Sequence, residues 1–246
     1  MPQNDYDLVI GRNPVKEALR GARNINKILV AKGVSDYSLG EITAAARAKG
    51  INVQTTDRRK LDAMTQNGMH QGVVAYCSPI VFSEVSDILR IAEARKEKPF
   101  VVILDQITDP HNAGAIIRSA YAAGAHGIII PKRRSASVNS TVYRASAGSI
   151  EHIAVAQVSN IAQTIDVLKK QGLFAVCADS SGTKYYEIDY DMPLMLIIGS
   201  EGAGAGTLIK KKCDFTAGIP MKGTLDSLNA SVAAGIIMFE ILRNRG

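Results

Sequence analysis

The sequence predicts an α/β protein in two parts: a small amino-terminal α/β unit, then a larger one built on a parallel sheet. Three observations predict this. Short apolar, β-branched runs such as FVVIL, GIIIP and LMLII alternate with helix-length segments, as do strands buried on both faces and joined by helical crossovers. Pro79 and Pro99 bracket a charged helical stretch, SEVSDILRIAEARKEK, which reads as a connector. Polar and glycine-rich loops follow several buried runs, where open α/β sheets place ligands. The expected division is residues 1–77, a linker helix over 78–98, and a second domain over 99–246.

In the first part, 13–19 reads as a helix with Pro14 at its first position, and 27–31 (KILVA) as a strand. A helix over 39–49 ends at Gly50, and a strand follows over 52–55. Asp57 caps a short helix to Met64, and 72–77 (GVVAYC) is a strand. Lysines and arginines gather here, including Arg12, Lys16, Arg58, Arg59 and Lys60. An RNA-binding face and an ordinary solvated face both fit.

The second part opens with a strand over 100–104, a loop, a helix and a strand over 127–130. Asp109-Pro110-His111-Asn112 starts the helix: proline lacks a donor that would be unpaired anyway, and Asp or Asn accepts from free amides. Ile116, Ile117, Ala120, Tyr121 and Ala123 give its apolar face, and Gly124 ends it. Asn112 and Arg118 are six positions apart, so they project in different directions at roughly 100° per residue. Asn112 is expected to act from the loop. Arg118 is either a solvated charge or a functional group on a helix otherwise made of small and aliphatic residues. Lys132-Arg133-Arg134 follows, a phosphate-contact candidate or a plain basic loop, then a helical stretch to Gly148. Strands over 153–158, 174–178, 194–198 and 215–219, a helix over 161–170 closed by Gly172 and a final helix over 228–242 complete the chain.

With 246 residues, 46% of them hydrophobic, the chain can bury a substantial core. A net charge of +6 and an isoelectric point near 9.2 suit an anionic partner such as nucleic acid. Cys77, Cys177 and Cys213 are scattered and odd in number, and neither they nor the four histidines show metal-ligand spacing. No signal core and no run of eighteen apolar residues occurs, so a cytoplasmic protein without a membrane partner is expected.

Two loops carry chemistry. GSEGAGAG follows a buried strand but fails the dinucleotide fingerprint, because Thr207 replaces the third glycine. It fails the phosphate-loop pattern too, because Ala205 follows Gly204. Its glycines let backbone approach a ligand, while Glu201 repels phosphate and suits a hydroxyl-rich or cationic one, such as a nucleoside carrying a sulfonium. A tight structural turn also fits. IPMKGTLDSLNASVAAG lies between the last strand and the last helix, where Ser227 or Asn229 can cap.

Together DPHNAGAIIRSA, IIGSEGAG and IPMKGTLDSLNASVAAG, in this order, closely resemble the motifs of the SpoU (TrmH-type) family of RNA ribose 2′-O-methyltransferases, in the SPOUT superfamily. VIGRNPVKEAL resembles the ribosomal-protein-like (L30e-type) substrate-binding domain of the branch containing the 23S rRNA guanosine 2′-O-methyltransferases. The resemblance implies a carboxyl-terminal trefoil knot, which general topology rules would not suggest. It implies S-adenosylmethionine held around Gly199, Ser200, Ile219, Met221, Ser227 and Leu228. Catalysis would fall to Arg118, positioned by Asn112, Glu201, Ser227 and Asn229, in a homodimer whose active site borders the interface. A guanidinium is an awkward base, so Arg118 either loses its proton in a dry pocket or holds the neighbouring phosphate. The same chemistry on tRNA or an antibiotic-target rRNA site, a non-catalytic RNA-binding protein and a dinucleotide enzyme are the rival readings.

Overall fold

A computed structural model describes residues 6–34, 36–65, 69–202, 204–224 and 227–246. Ala203 of the glycine loop and Leu225 and Asp226 of the third motif lie outside the described residues. The chain runs β1 (Asp7–Ile10), α1 (Arg12–Arg20), β2 (Ile25–Ala31), α2 (Tyr37–Ala48), β3 (Asn52–Thr56), α3 (Arg58–Met64), β4 (Val73–Cys77), α4 (Val85–Arg95), β5 (Phe100–Leu104) and α5 (Pro110–Ala122). It continues β6 (Gly127–Pro131), α6 (Ser140–Ala145), β7 (Ala154–Val158), α7 (Ile161–Lys170), β8 (Phe174–Lys184), β9 (Leu194–Ile198), α8 (Thr207–Lys212), β10 (Phe215–Gly218) and α9 (Ala230–Arg245). These elements form two compact units, residues 1–81 with 138–152, and residues 82–137 with 153–246.

The first unit holds a four-stranded sheet of order β1-β4-β2-β3, antiparallel except for β2 with β3. The sequence signals no strand at 7–10. Four residues carry little periodicity, and pairing from Asp7↔Cys77 to Ile10↔Val74 makes β1. Asp57 opens α3 as expected, but its side chain makes no cap bond and pairs with Lys32 at 3.5 Å.

Residues 138–152, expected within the second domain, pack in this unit instead. Only α6 and a 3₁₀ turn over Ser149–Glu151 are helical there. Arg23, whose side chain is 6% exposed, binds the segment. It pairs with Asp7 and, at 3.2 Å, with Glu151. It also donates to the Ser78 carbonyl at 2.5 Å and lies 4.7 Å over the Tyr143 ring. Burial raises the Glu151 pKa, and the Arg23 charge opposes that rise. Stranding one charge of a buried pair costs about 3–5 kcal/mol, so Arg23 is what makes this docking tolerable.

The second unit is built on a six-stranded, all-parallel sheet of order β10-β8-β9-β5-β6-β7. β5, β6 and β9 are buried at every residue, which explains their unbroken apolar sequences. The expected linker helix, α4, is part of this unit's core. Ile88 is fully buried on Gly127, where an added Cβ would lie 2.5 Å from Ile88 Cγ1. β8 outruns its expected end at 178, because β10 pairs beside it with a register shift after Thr216. Gly182 makes that approach possible, since a Cβ there would lie 2.3 Å from the Thr216 carbonyl oxygen. The six-residue α8, which the sequence does not signal, buries Ile209. Among the described residues no helix is long and apolar enough to cross a membrane, and no group of acidic, cysteine or histidine residues is arranged to hold a metal.

Candidate active site

All chemistry-bearing motifs belong to the second unit and meet at the carboxyl ends of its parallel strands. The loop after β5 leads into α5, capped by Asp109, whose carboxylate accepts from His111 N at 3.1 Å and Asn112 N at 3.3 Å. Asn112 therefore stands in the first helical turn, not in the loop as expected. The same loop is tied to the glycine loop after β9, where Gly206 N donates to Asp105 Oδ2 at 2.9 Å.

Three side chains from three elements converge here. Asn112 Nδ2 donates to Glu201 Oε1 at 3.0 Å, and Asn229 Nδ2 donates to Asn112 Oδ1 at 3.0 Å and to the same Glu201 oxygen. Asn229 also caps α9: its Oδ1 accepts from Ser231 N at 2.9 Å, Ser231 Oγ at 2.6 Å and Val232 N at 3.3 Å. Both ends of its carboxamide are committed, so Asn229 is a rigid brace between helix start and carboxylate. Glu201 Oε2 bonds to none of the described residues and is free for a ligand. Ser227 likewise makes no hydrogen bond to a described residue.

Beside this triad is a cleft of about 230 Å³. Gly199, Ser200, Ile219, Met221, Ser227 and Leu228, the six residues expected around a cofactor, all line it, and Glu201 stands at the same wall. Ile198, Ile219, Leu228 and Ile237 make it apolar enough for a flat heterocycle. The glycine loop folds back on itself: a Cβ at Gly199 would lie 1.9 Å from Ala205 N and 2.0 Å from Gly204 C. Glycine is obligatory there on steric grounds.

Two lining residues were not singled out from the sequence, Asp179 and Lys210, which pair across the cleft wall. Lys210, followed by the amide and hydroxyl of Ser181, holds the Asp179 carboxyl down to about 2. The signal was an acid just past a buried strand's carboxyl end, where such sheets place ligands.

Arg118 is not brought to the triad. It is exposed on α5, lies outside the cleft lining and makes no hydrogen bond or ion pair with a described residue. Asn112, Glu201, Ser227 and Asn229 thus do not position it within one protomer, as the resemblance implied they would.

Asn229→Ala is expected to cost about 1 kcal/mol of stability for the missing cap. Asn229→Asp keeps the cap but places a second carboxylate against Glu201, so it should retain thermal stability better than alanine while losing activity as fully. Thermal melts and initial rates on both variants check this. Equal activity of wild type and Asn229→Asp would show that the Nδ2 bonds are idle.

A family model described as "SpoU rRNA Methylase family" matches residues 99–239, and one described as "RNA 2'-O ribose methyltransferase substrate binding" matches residues 8–82. YacO of Bacillus subtilis (strain 168), named as a TrmH family tRNA/rRNA methyltransferase, is 46% identical over 98% of this chain and 96% of its own. The SpoU methyltransferase AviRb from Streptomyces viridochromogenes, in complex with the cofactor AdoMet, superposes with a TM-score of 0.80 at 27% identity, over 98% of this chain and 91% of AviRb. An AdoMet-bound rRNA methyltransferase from Sinorhizobium meliloti gives a TM-score of 0.80 at 29% identity, over 97% and 87%.

Proposed function

The chain belongs to the SpoU rRNA methylase family, a family of RNA methyltransferases, and from that premise we propose that it methylates a ribose 2′-hydroxyl, of a guanosine in 23S rRNA, using S-adenosylmethionine. One observation carries the cofactor reading. The cleft is lined by Gly199, Ser200, Ile219, Met221, Ser227 and Leu228, and a carboxylate fixed by two carboxamides stands at its wall. Glycine backbone allows close approach to a nucleoside, apolar side chains take its base, and Glu201 offers a negative charge to a cation.

When bound, the cofactor supplies an electrophilic methyl on a sulfonium. The chain's own residues do the rest. Asn112 and Asn229 hold Glu201 Oε1, so its charge is already placed before ligands arrive. Arg118 has no partner among the described residues, so its five donors are available for the ribose hydroxyl or the adjacent phosphate. In the homodimer we propose, the active site borders the interface. In such an arrangement an Arg118 that is free in its own protomer meets a ligand. The exposed Val232, Phe239 and Leu242 of α9 supply apolar area for such a contact. The trefoil knot belongs to the same reading. The place of action we propose is the cytoplasm.

The match at residues 8–82 supports an RNA substrate held by this part of the chain, with rRNA as the target we propose. The second reading is the same reaction on tRNA or an antibiotic-target rRNA site, and the shared tRNA/rRNA naming of the relatives favours keeping it. An intact triad speaks against a purely RNA-binding role. Calorimetry tests the cofactor: S-adenosylmethionine and S-adenosylhomocysteine are expected to bind and NAD not to. NAD binding without sulfonium-nucleoside binding would overturn it.

A further inference from the structure

The loop after β6 carries Lys132, Arg133 and Arg134, which the sequence leaves open between a phosphate contact and a plain basic loop. All three are exposed, and none makes a side-chain hydrogen bond or ion pair with a described residue. The backbone that carries them is fixed at three points. Lys132 N donates to the Val158 carbonyl at 2.9 Å, Ala136 N to the Ile107 carbonyl at 2.8 Å, and Ser135 Oγ to the Pro131 carbonyl at 2.6 Å. Ala136 and Ile107 are both buried. Arg134 has a φ of +58°, a conformation that L side chains other than Asn and Asp rarely adopt.

Placement gives these cations a direction. β9, β5 and β6 are parallel neighbours in the sheet, so their following loops emerge side by side. The central loop leads to Asn112. The glycine loop with Glu201 flanks it on one side, tied through Gly206 to Asp105. The basic loop flanks it on the other, tied through Ala136 to Ile107. A polyanion lying across these strand ends would meet the carboxylate triad at a sugar and the basic loop at a phosphate.

We propose that Lys132, Arg133 and Arg134 form a preset phosphodiester-binding site that anchors the RNA backbone beside the reacting nucleotide. This rests on the RNA methyltransferase reading above. The site reads charge, not bases, so it serves any sequence equally.

The test measures binding of a labelled mixed-sequence RNA stem-loop to the full chain between about 50 and 200 mM salt. Removing one side chain that neutralises a phosphate should make the slope of log affinity against log salt shallower by about 0.7–0.9. The triple alanine variant is expected to lower the slope by about 2 and to raise KM for in-vitro transcribed 23S rRNA about 10-fold or more, leaving S-adenosylhomocysteine binding and kcat near wild type. Arg134→Gly is the control for folding. Glycine suits the positive φ, so this variant should melt no lower than wild type yet still show the slope change of a single phosphate. Unchanged slope and KM in both variants, with wild type active, would overturn the proposal alone. An inactive wild type would instead overturn the function on which it rests.

Discussion

Arg118→Ala is expected to abolish methyl transfer, with a loss of at least ~100-fold, the lower end for a group that handles a proton in the transition state. Fold and cofactor binding should survive, because Arg118 is exposed and bonds to no described residue, and surface changes of this kind stay within about 0.5 kcal/mol. A merely solvated arginine would leave activity unchanged. Arg118→Lys separates the two chemical roles. Lysine keeps the charge but not the planar fork, so a phosphate clamp should survive in part. A lysine of lowered pKa acting as a base would instead bring a new pH dependence, which the pH–rate profile would report. Single-turnover transfer at saturating cofactor is the measurement. Near-normal turnover in Arg118→Ala would leave Ser227 and Asn229 as the remaining candidates.

The second large effect concerns Gly199. An alanine there would place its methyl 1.9 Å from Ala205 N, so the glycine loop and strand end must separate. Overpacking of this kind costs about 1–3 kcal/mol even where neighbours can give, and here the neighbours are backbone. Cofactor binding should fall at least ~10-fold, the factor that 1.4 kcal/mol represents. Gly223→Ala, with no described residue within 4 Å of the added methyl, should bind like wild type. Calorimetry with S-adenosylhomocysteine on both variants reads the contrast, and equal affinities would contradict the loop geometry.

The sheet of the second unit was legible because parallel strands buried on both faces are written as unbroken apolar runs, and β5, β6 and β9 are such runs. What escaped was set by neighbours distant in sequence. The sequence ends this strand at 178, yet Asp179-Ser180-Ser181-Gly182 continues β8, because β10 lies against it across Gly182. Residues 138–152 follow a second-unit strand, yet Arg23 and the Glu17–His152 contact at 2.7 Å draw them into the first unit. α4 looked like a charged connector, and its burial depends on Ile88 finding Gly127. These placements change one expectation. A chain cut at Pro99 would lose Ile88 from its core and leave Tyr143 and Glu151 without Arg23, so the second domain is not expected to stand intact from that residue. In the candidate site, the residue types were readable from the motifs. That one oxygen of Glu201 takes both carboxamides, and that Arg118 stands apart, required the structure.

The central claim is a methyl placed on a ribose oxygen of RNA. The direct measurement is to incubate the purified chain with isotopically labelled S-adenosylmethionine and in-vitro transcribed 23S rRNA, digest to nucleosides and identify the labelled product by mass spectrometry. A label in 2′-O-methylguanosine, dependent on Arg118, is the predicted result. A label on a base, or no transfer to RNA despite bound cofactor, would contradict it.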